Sequence, residues 1–251
     1  MLCCESYGAS MAMMTGGQAV AETLALLGVS KVFGIVSVHN LPIYDAISLH
    51  PDIQVINVRH EQAAAHAADA YSRVTGELGV ILTSTGPGAL NAVAGIYEAA
   101  FVSSKLLMVT GQIESRFRGK GKGFLHEYEK QPELLSNLCR TVSSVRYAED
   151  ISRDMAAVAD DIQRGRPQPG AIEIPIDLQY QSADIDLFAS RTISRLVPDK
   201  ALLNQALALL ENAQRPLIWA GGGVNISGAS GELTDLAERM GAPGVTTLER
   251  R

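Results

Sequence analysis

The chain has 251 residues, 47% of them hydrophobic and 19% charged, with a formal net charge of −6. That length holds one large domain or two smaller ones, and the mild acidity argues against nucleic acid or an anionic membrane surface as the main partner. No apolar run reaches the ~20 residues that span a bilayer, and three cysteines, two of them adjacent at Cys3 and Cys4, make no disulfide framework, so a reducing cytoplasm is the simplest location.

Residues 1–13 read as a tail, without the basic start and apolar core of a secretory signal. Thr15 and Gln18 have the spacing of a capping box and predict a helix over 16–28 closed by Gly28. A strand at 31–36, a helix at 41–49 and a strand at 53–58 follow. An alanine-rich helix at 61–75 stops at Gly76. "GVILTST" at 79–85 is a β-branched strand, and "GPG" at 86–88 turns the chain into a helix at about 89–101. "LLMVTG" at 106–111 is the next strand. Helices near 130–138 and 150–164 bracket a short strand at 141–146, and "AIEIPI" at 171–176 closes the series. Short apolar strands alternating with helices predict parallel pairing through right-handed crossovers. The expected fold is α/β, a doubly wound, mostly parallel six-stranded sheet with helices on both faces, over residues 14–183.

After an irregular linker at 184–198, a second unit begins. It reads as a helix at 199–212, a strand at 216–220, a Gly-Gly-Gly turn at 221–223, a helix at 231–241 and a strand at 244–247. Two strands and two helices are too few for an independent doubly wound domain. Residues 199–251 are therefore expected to be an incomplete second α/β domain.

Ligands of open parallel sheets sit at the carboxyl ends of the strands. Four consecutive predicted strand ends carry polar groups there: "SVHN" at 37–40, "RHE" at 59–61, "TGPG" at 85–88 followed by Asn91, and "GQIES" at 111–115 with the "GKGKGFLHE" loop behind it. Polar turns are also what any strand end needs, so this pattern alone leaves both readings open.

Glu61 is the sharpest single residue. A carboxylate at a helix N-terminus is favoured by the helix dipole alone. The helix behind it, however, carries Ala63, Ala64, Ala65, Ala67, Ala68 and Ala70. With so little bulk, it can approach another element or a copy of itself closely. Such an approach would leave Glu61 in a desolvated junction, able to share a proton with a heterocycle.

"VFGI…HNLPIYDAI", "INVRHEQAAAHAADAYSRVTG", "GVILTSTGPGALNAVAGIYEA" and "LLMVTGQ", in this order and spacing, resemble the pyrimidine-binding domain of thiamine diphosphate-dependent enzymes. The resemblance is closest to the acetolactate synthase-like group, which includes aldehyde lyases and 2-oxo acid decarboxylases. "PLIWAGGGVNISGASGELTDLAERMGAPGVTT" extends it into the start of that family's central domain. The resemblance implies that Glu61 hydrogen-bonds the cofactor's pyrimidine ring and favours its imino tautomer. It implies that Thr85, Gly86, Pro87 and Gly88 bring backbone close to the ring, braced by Asn91. It places His39, Gln112 and His126 near the substrate, a 2-oxo acid or aldehyde. It also implies a homodimer or larger homo-oligomer, with the small-residue helix in the interface.

The chain departs from acetolactate synthases in three places: Val36-Ser37 where they read Pro-Gly, Leu125-His126-Glu127 where many read Phe-Gln-Glu, and "TVSS" ending at Ser144 where many end on lysine. A decarboxylase or lyase of the same group stays open, as does a non-catalytic module that kept the fold. A nicotinamide-binding domain is weakened because no G-x-G-x-x-G follows the first strand. The family's Gly-Asp-Gly and Asn-Asn strings, which hold diphosphate and Mg2+, do not occur. The expectation is a fragment or a split subunit, with the diphosphate-binding domain supplied in cis or in trans. No metal ligands are expected among these residues, and FAD binding by the central domain is left undecided.

Overall fold

A computed structural model describes residues 12–189 and 197–247. Residues 1–11, including Cys3 and Cys4, lie outside the described part, as do residues 190–196 of the expected linker. The chain divides into two compact units, Met1–Ile193 and Ser194–Arg251.

The first unit opens with β1 (Ala12–Thr15) and α1 (Gly16–Leu26). The Thr15 side chain accepts from the Gln18 amide, and the Gln18 side chain accepts from the Thr15 amide at 2.8 Å, which completes the capping box. Then come β2 (Lys31–Gly34), α2 (Leu41–Leu49), β3 (Gln54–Asn57), α3 (Glu61–Thr75), β4 (Gly79–Thr83), α4 (Pro87–Val102) and β5 (Leu106–Gln112). After these follow α5 (Gln131–Ser136), β6 (Thr141–Ser144), α6 (Ile151–Gln163), β7 (Gly170–Pro175), α7 (Ile176–Tyr180) and β8 (Ser182–Ile185). The six central strands run β3-β2-β4-β5-β7-β6, and all five pairings are parallel.

Two apolar layers cover the two faces of this sheet. One gathers Leu24 of α1, Ile43 and Ile47 of α2, and Met155 and Ile162 of α6 against β2, β4, β5 and β7. The other gathers Ala64, Ala65 and Ala68 of α3, Ala92 and Ile96 of α4, and Leu135 of α5. Strands β4, β5 and β7 are buried at every position, which explains their continuous rather than alternating hydrophobicity.

Three elements differ from the sequence reading. β1 and β8 pair antiparallel, Ala12 opposite Ile185, where an unstructured start and a linker were expected. α7 continues directly from Pro175. Each is five residues or fewer, too short for a periodic signal.

The second unit contains α8 (Lys200–Glu211), β9 (Ile218–Ala220), α9 (Gly222–Ser227), α10 (Ser230–Met240) and β10 (Gly244–Thr246). Strands β9 and β10 pair in parallel. A short helix starts at Gly222, where a plain Gly-Gly-Gly turn was expected; the third glycine already has helical backbone. Among the described residues of this unit only Ala242 is buried. Leu202, Leu203, Leu207, Leu209, Leu217 and Trp219 are exposed.

Candidate active site

Glu61 is the first residue of α3. His60 caps the helix, its Nδ1 accepting from the Gln62 amide at 3.2 Å. That leaves the Glu61 carboxylate free to point across to α4, where Asn91 Nδ2 donates to its Oε2 at 3.0 Å. Its Oε1 faces Gly88 and stands 3.4 Å from where a Cβ on that glycine would lie. The carboxylate is half-buried, so one chain by itself does not supply the dry junction expected around it.

The alanines of α3 serve two surfaces. Ala64, Ala65 and Ala68 are fully buried within the chain. A Cβ on Gly95 of α4 would overlap that of Ala65, and a Cβ on Gly79 would overlap the Ala68 carbonyl. The small residues thus let α3 settle onto α4 and β4. Ala63 and Ala70 remain exposed beside His66 and Val74.

The turn after β4 is built around Gly86, whose φ is +57°, a conformation that favours glycine. A Cβ there would also overlap the carbonyl oxygen of His126. The Gly86 amide donates to Gln131 Oε1 at 2.7 Å, and the same oxygen lies 3.0 Å from Thr85 Oγ1. Pro87 is the first residue of α4, and a Cβ on Gly88 would sit 2.8 Å from that of Ser84. Thr85 is fully buried and points toward Gln112 as well, with its Oγ1 3.2 Å from Gln112 Oε1.

His39 is buried at the end of the loop after β2. Asn40 shapes that loop: its Oδ1 accepts from the Ser37 amide at 2.7 Å and its Nδ2 donates to the Ile35 carbonyl at 3.2 Å. Gln179 Nε2 donates to the His39 carbonyl at 2.8 Å. The imidazole lies 3.4 Å from Ser84 Oγ through Nδ1, and its ring centre is 5.6 Å from that of His126. Burial, and secondarily the charge of His126 when protonated, hold the His39 pKa below its ordinary value. Nearby, burial and then the field of Glu61 push the Tyr44 hydroxyl pKa well above its ordinary value.

Glu61, Asn91 and the Gly86–Gly88 turn are therefore linked directly. His39 and His126 join them through Ser84 and Gly86. Gln112 stands on the far side, at the wall of a cavity of about 660 Å3 that also takes in Ser115, Arg118, Tyr128, Ser144 and Arg146. Sequence reasoning missed Ser84, Asn40, Tyr44, Gln131 and Glu173. For Glu173 a signal existed: it is the sole charged residue in the strand "GAIEIP", and it is fully buried. Among the described residues, no group of three or more His, Cys, Asp or Glu stands where it could hold a metal ion.

At the strand ends, where open parallel sheets take their ligands, this domain therefore presents a half-buried carboxylate facing a glycine turn. Two family models match the chain: the N-terminal TPP binding domain of thiamine pyrophosphate enzymes over residues 14–134, and the central domain of the same enzymes over residues 203–251. The chain belongs to the thiamine pyrophosphate enzyme family. It is 36% identical over 242 residues to a probable acetolactate synthase large subunit of Methanocaldococcus jannaschii, covering 94% of this chain and 40% of that protein. It is 35% identical to the acetolactate synthase large subunit of Corynebacterium glutamicum, covering 94% and 38%. It is 32% identical to the large subunit of acetolactate synthase isozyme 2 of Escherichia coli, covering 94% and 42%. The chain thus spans about two-fifths of the length of these relatives.

The residues present fit the pyrimidine half of thiamine diphosphate. Asn91 occupies one oxygen of Glu61 and leaves the other facing Gly88, where it could meet a ring nitrogen's proton.

Proposed function

We propose that this chain is the N-terminal portion of an acetolactate synthase-like enzyme that uses thiamine diphosphate to act on 2-oxo acids. The observation that carries this reading is the Asn91–Glu61 hydrogen bond, which presents one carboxylate oxygen to the Gly86–Gly88 turn. When bound, the cofactor supplies an electron sink for bonds next to a carbonyl. Glu61 holds a proton between its carboxylate and a ring nitrogen. Asn91 fixes the rotamer of Glu61, and Thr85 with the glycine turn would hold the backbone side of the pyrimidine site. The diphosphate and its Mg2+ are held outside these 251 residues in this reading, in line with the share of the relatives that the chain spans.

A second copy would cover the exposed outer face of α3 and α4, where Val74, Leu90, Tyr97 and Phe101 stand. It would also complete the dry junction around Glu61. The enzyme is read as cytoplasmic; no helix among the described residues is long and apolar enough to cross a membrane.

The His39–His126 pair favours a second reading, a 2-oxo acid decarboxylase or aldehyde lyase of the same group, in which these histidines and Gln112 meet the substrate. In the complete enzyme, Glu61→Gln should keep the fold and slow exchange of the thiazolium C2 proton by about 10²–10⁴-fold, the usual cost of one proton-transfer group. An unchanged exchange rate, followed by NMR, would remove Glu61 from that role.

A further inference from the structure

Glu173 lies on β7 inside the sheet, in register with Thr110 of β5 on one side and Ser144 of β6 on the other. Its side chain is fully buried. A carboxylate in such a place is costly unless donors surround it. Here each oxygen has two. Oε1 accepts from Gln131 Nε2 at 2.7 Å and from Gln112 Nε2 at 3.4 Å. Oε2 accepts from Ser144 Oγ at 2.7 Å and faces Arg118 Nη2 at 3.5 Å.

The two oxygens lead to different parts of the site. Gln131 is itself fully buried. A primary amide has a donor end and an acceptor end, and a carboxylate takes only the donor end. With its Nε2 committed to Glu173, Gln131 must turn its Oε1 the other way. That oxygen accepts the Gly86 amide at 2.7 Å and meets Thr85 Oγ1. On the other side, Ser144 and Arg118 are walls of the 660 Å3 cavity, as is Gln112.

We propose that Glu173 is a positioning residue for the turn at the active site. It dictates the amide orientation of Gln131 and thereby holds the Gly86 N–H inward, in the one turn shape that places Gly88 against Glu61. Through its second oxygen the same carboxylate seats Ser144 and Arg118, so the turn and the cavity wall share a single anchor. The consequence for the cofactor rests on the reading of Glu61 and the turn given above; the control of Gln131 does not.

Hydrogen exchange at the Gly86 amide, followed by NMR, reads this control directly. Glu173→Gln presents a donor as well as an acceptor, so Gln131 is free to flip, and Gly86 exchange should quicken about tenfold or more. Gln131→Glu sets one carboxylate against another and should quicken it too. The double variant restores complementarity: the new amide at 173 donates to the new carboxylate at 131, which accepts from Gly86 and Thr85. Gly86 exchange should return to within about threefold of the parent rate. The amides of Ile172 and Ile174 on β7 report whether the sheet stays intact. A packing role alone would make the two single effects add in the double variant, and that outcome overturns the proposal. An unchanged Gly86 rate in Glu173→Gln overturns it as well. If Glu173→Gln does not fold, a double variant that folds with slow Gly86 exchange supports the proposal, and one that is equally unfolded overturns it. Thiamine titration of the parent chain separates the two ideas. Thiamine that binds and shifts other amides while leaving Gly86 and Gly88 unmoved removes the pyrimidine reading and leaves the exchange result standing.

Discussion

Asn91 Nδ2 donates to Glu61 Oε2 at 3.0 Å across 30 residues of sequence, joining the start of α3 to the first turns of α4. The contact depends on close approach of the two helices, which Gly95 and Ala65 permit. Asn91 is exposed, so the bond contributes little to stability and acts on the orientation of the carboxylate. Asn91→Ala should change unfolding free energy by about 0.5 kcal/mol or less. It should weaken thiamine binding about three- to tenfold, the loss expected for one hydrogen bond. Chemical denaturation and a thiamine titration on the same preparation check both halves.

Gly95→Ala should separate α3 from α4, because the new methyl would overlap the Ala65 Cβ at a fully packed contact. Overpacking of this kind costs about 1–3 kcal/mol, and a Glu61–Asn91 bond spanning the same two helices should lengthen with it. Gly76→Ala is the control. Its φ of +79° is strained for alanine, but nothing lies within 4 Å of the new methyl. It should cost about 1–2 kcal/mol and leave the thiamine response intact. Urea melts of the two variants give the comparison.

The depressed pKa of His39 makes a signed prediction. The folded state binds the proton less readily than the unfolded state, whose histidine titrates near 6.5. Stability that His39 supports is therefore fully present above about pH 6.5 and is lost as pH falls from there through the folded pKa. The groups that meet its ring are His126 and Ser84, and Gln179 holds its carbonyl. His39→Gln should flatten the fall in stability between pH 6.5 and pH 5. Denaturant melts of parent and variant across that interval test it; parallel curves would contradict the burial argument.

Cys139 is buried and free, and burial pushes its thiol pKa up to about 12. Thiolate is the reactive form. Cys139 should resist alkylation in the native chain at neutral pH and react fully once the chain is unfolded. Peptide mass mapping after iodoacetamide treatment shows which.

The second unit supplies a test of association. Leu217, just before β9, and Trp219, within it, are exposed, the partner of β9 is the short β10, and α8 leaves its leucines exposed as well. An apolar surface of this kind pairs or aggregates. Light scattering should show concentration-dependent self-association that a Leu217→Lys, Trp219→Lys variant reduces.

Much of the main sheet was legible in the sequence because its elements carry strong local signals. The helix at 61–75 begins after a capping residue and ends at a glycine with φ of +79°. The helix at 41–49 is bounded by Asn40 and His50. The β1–β8 pair was not legible, because each strand has four residues and its partner lies far away in the sequence. At the candidate site, strand ends marked the loops at 37–40, 59–61, 85–88 and 111–115, and the family resemblance picked Glu61, the Gly86–Gly88 turn, Asn91, His39, Gln112 and His126 as candidates. Gln131 and Glu173 escaped. Glu173 did leave one mark, a lone charge in an otherwise apolar strand, but its role comes from a register match across strands, and that of Gln131 from an amide orientation, neither of which can be read along the chain.

Thiamine carries the aminopyrimidine without the diphosphate, so it probes Glu61 and the turn alone. Titrated into the isotope-labelled chain, it should shift the amides of Gly86 and Gly88 and the side-chain amide of Asn91. Glu61→Gln should reduce the affinity about tenfold or more, the worth of a hydrogen bond to a charged group, with the spectrum otherwise unchanged. Equal affinity in the two proteins, or shifts confined to the cavity around Arg118 and Arg146, would contradict the placement of the pyrimidine ring at Glu61.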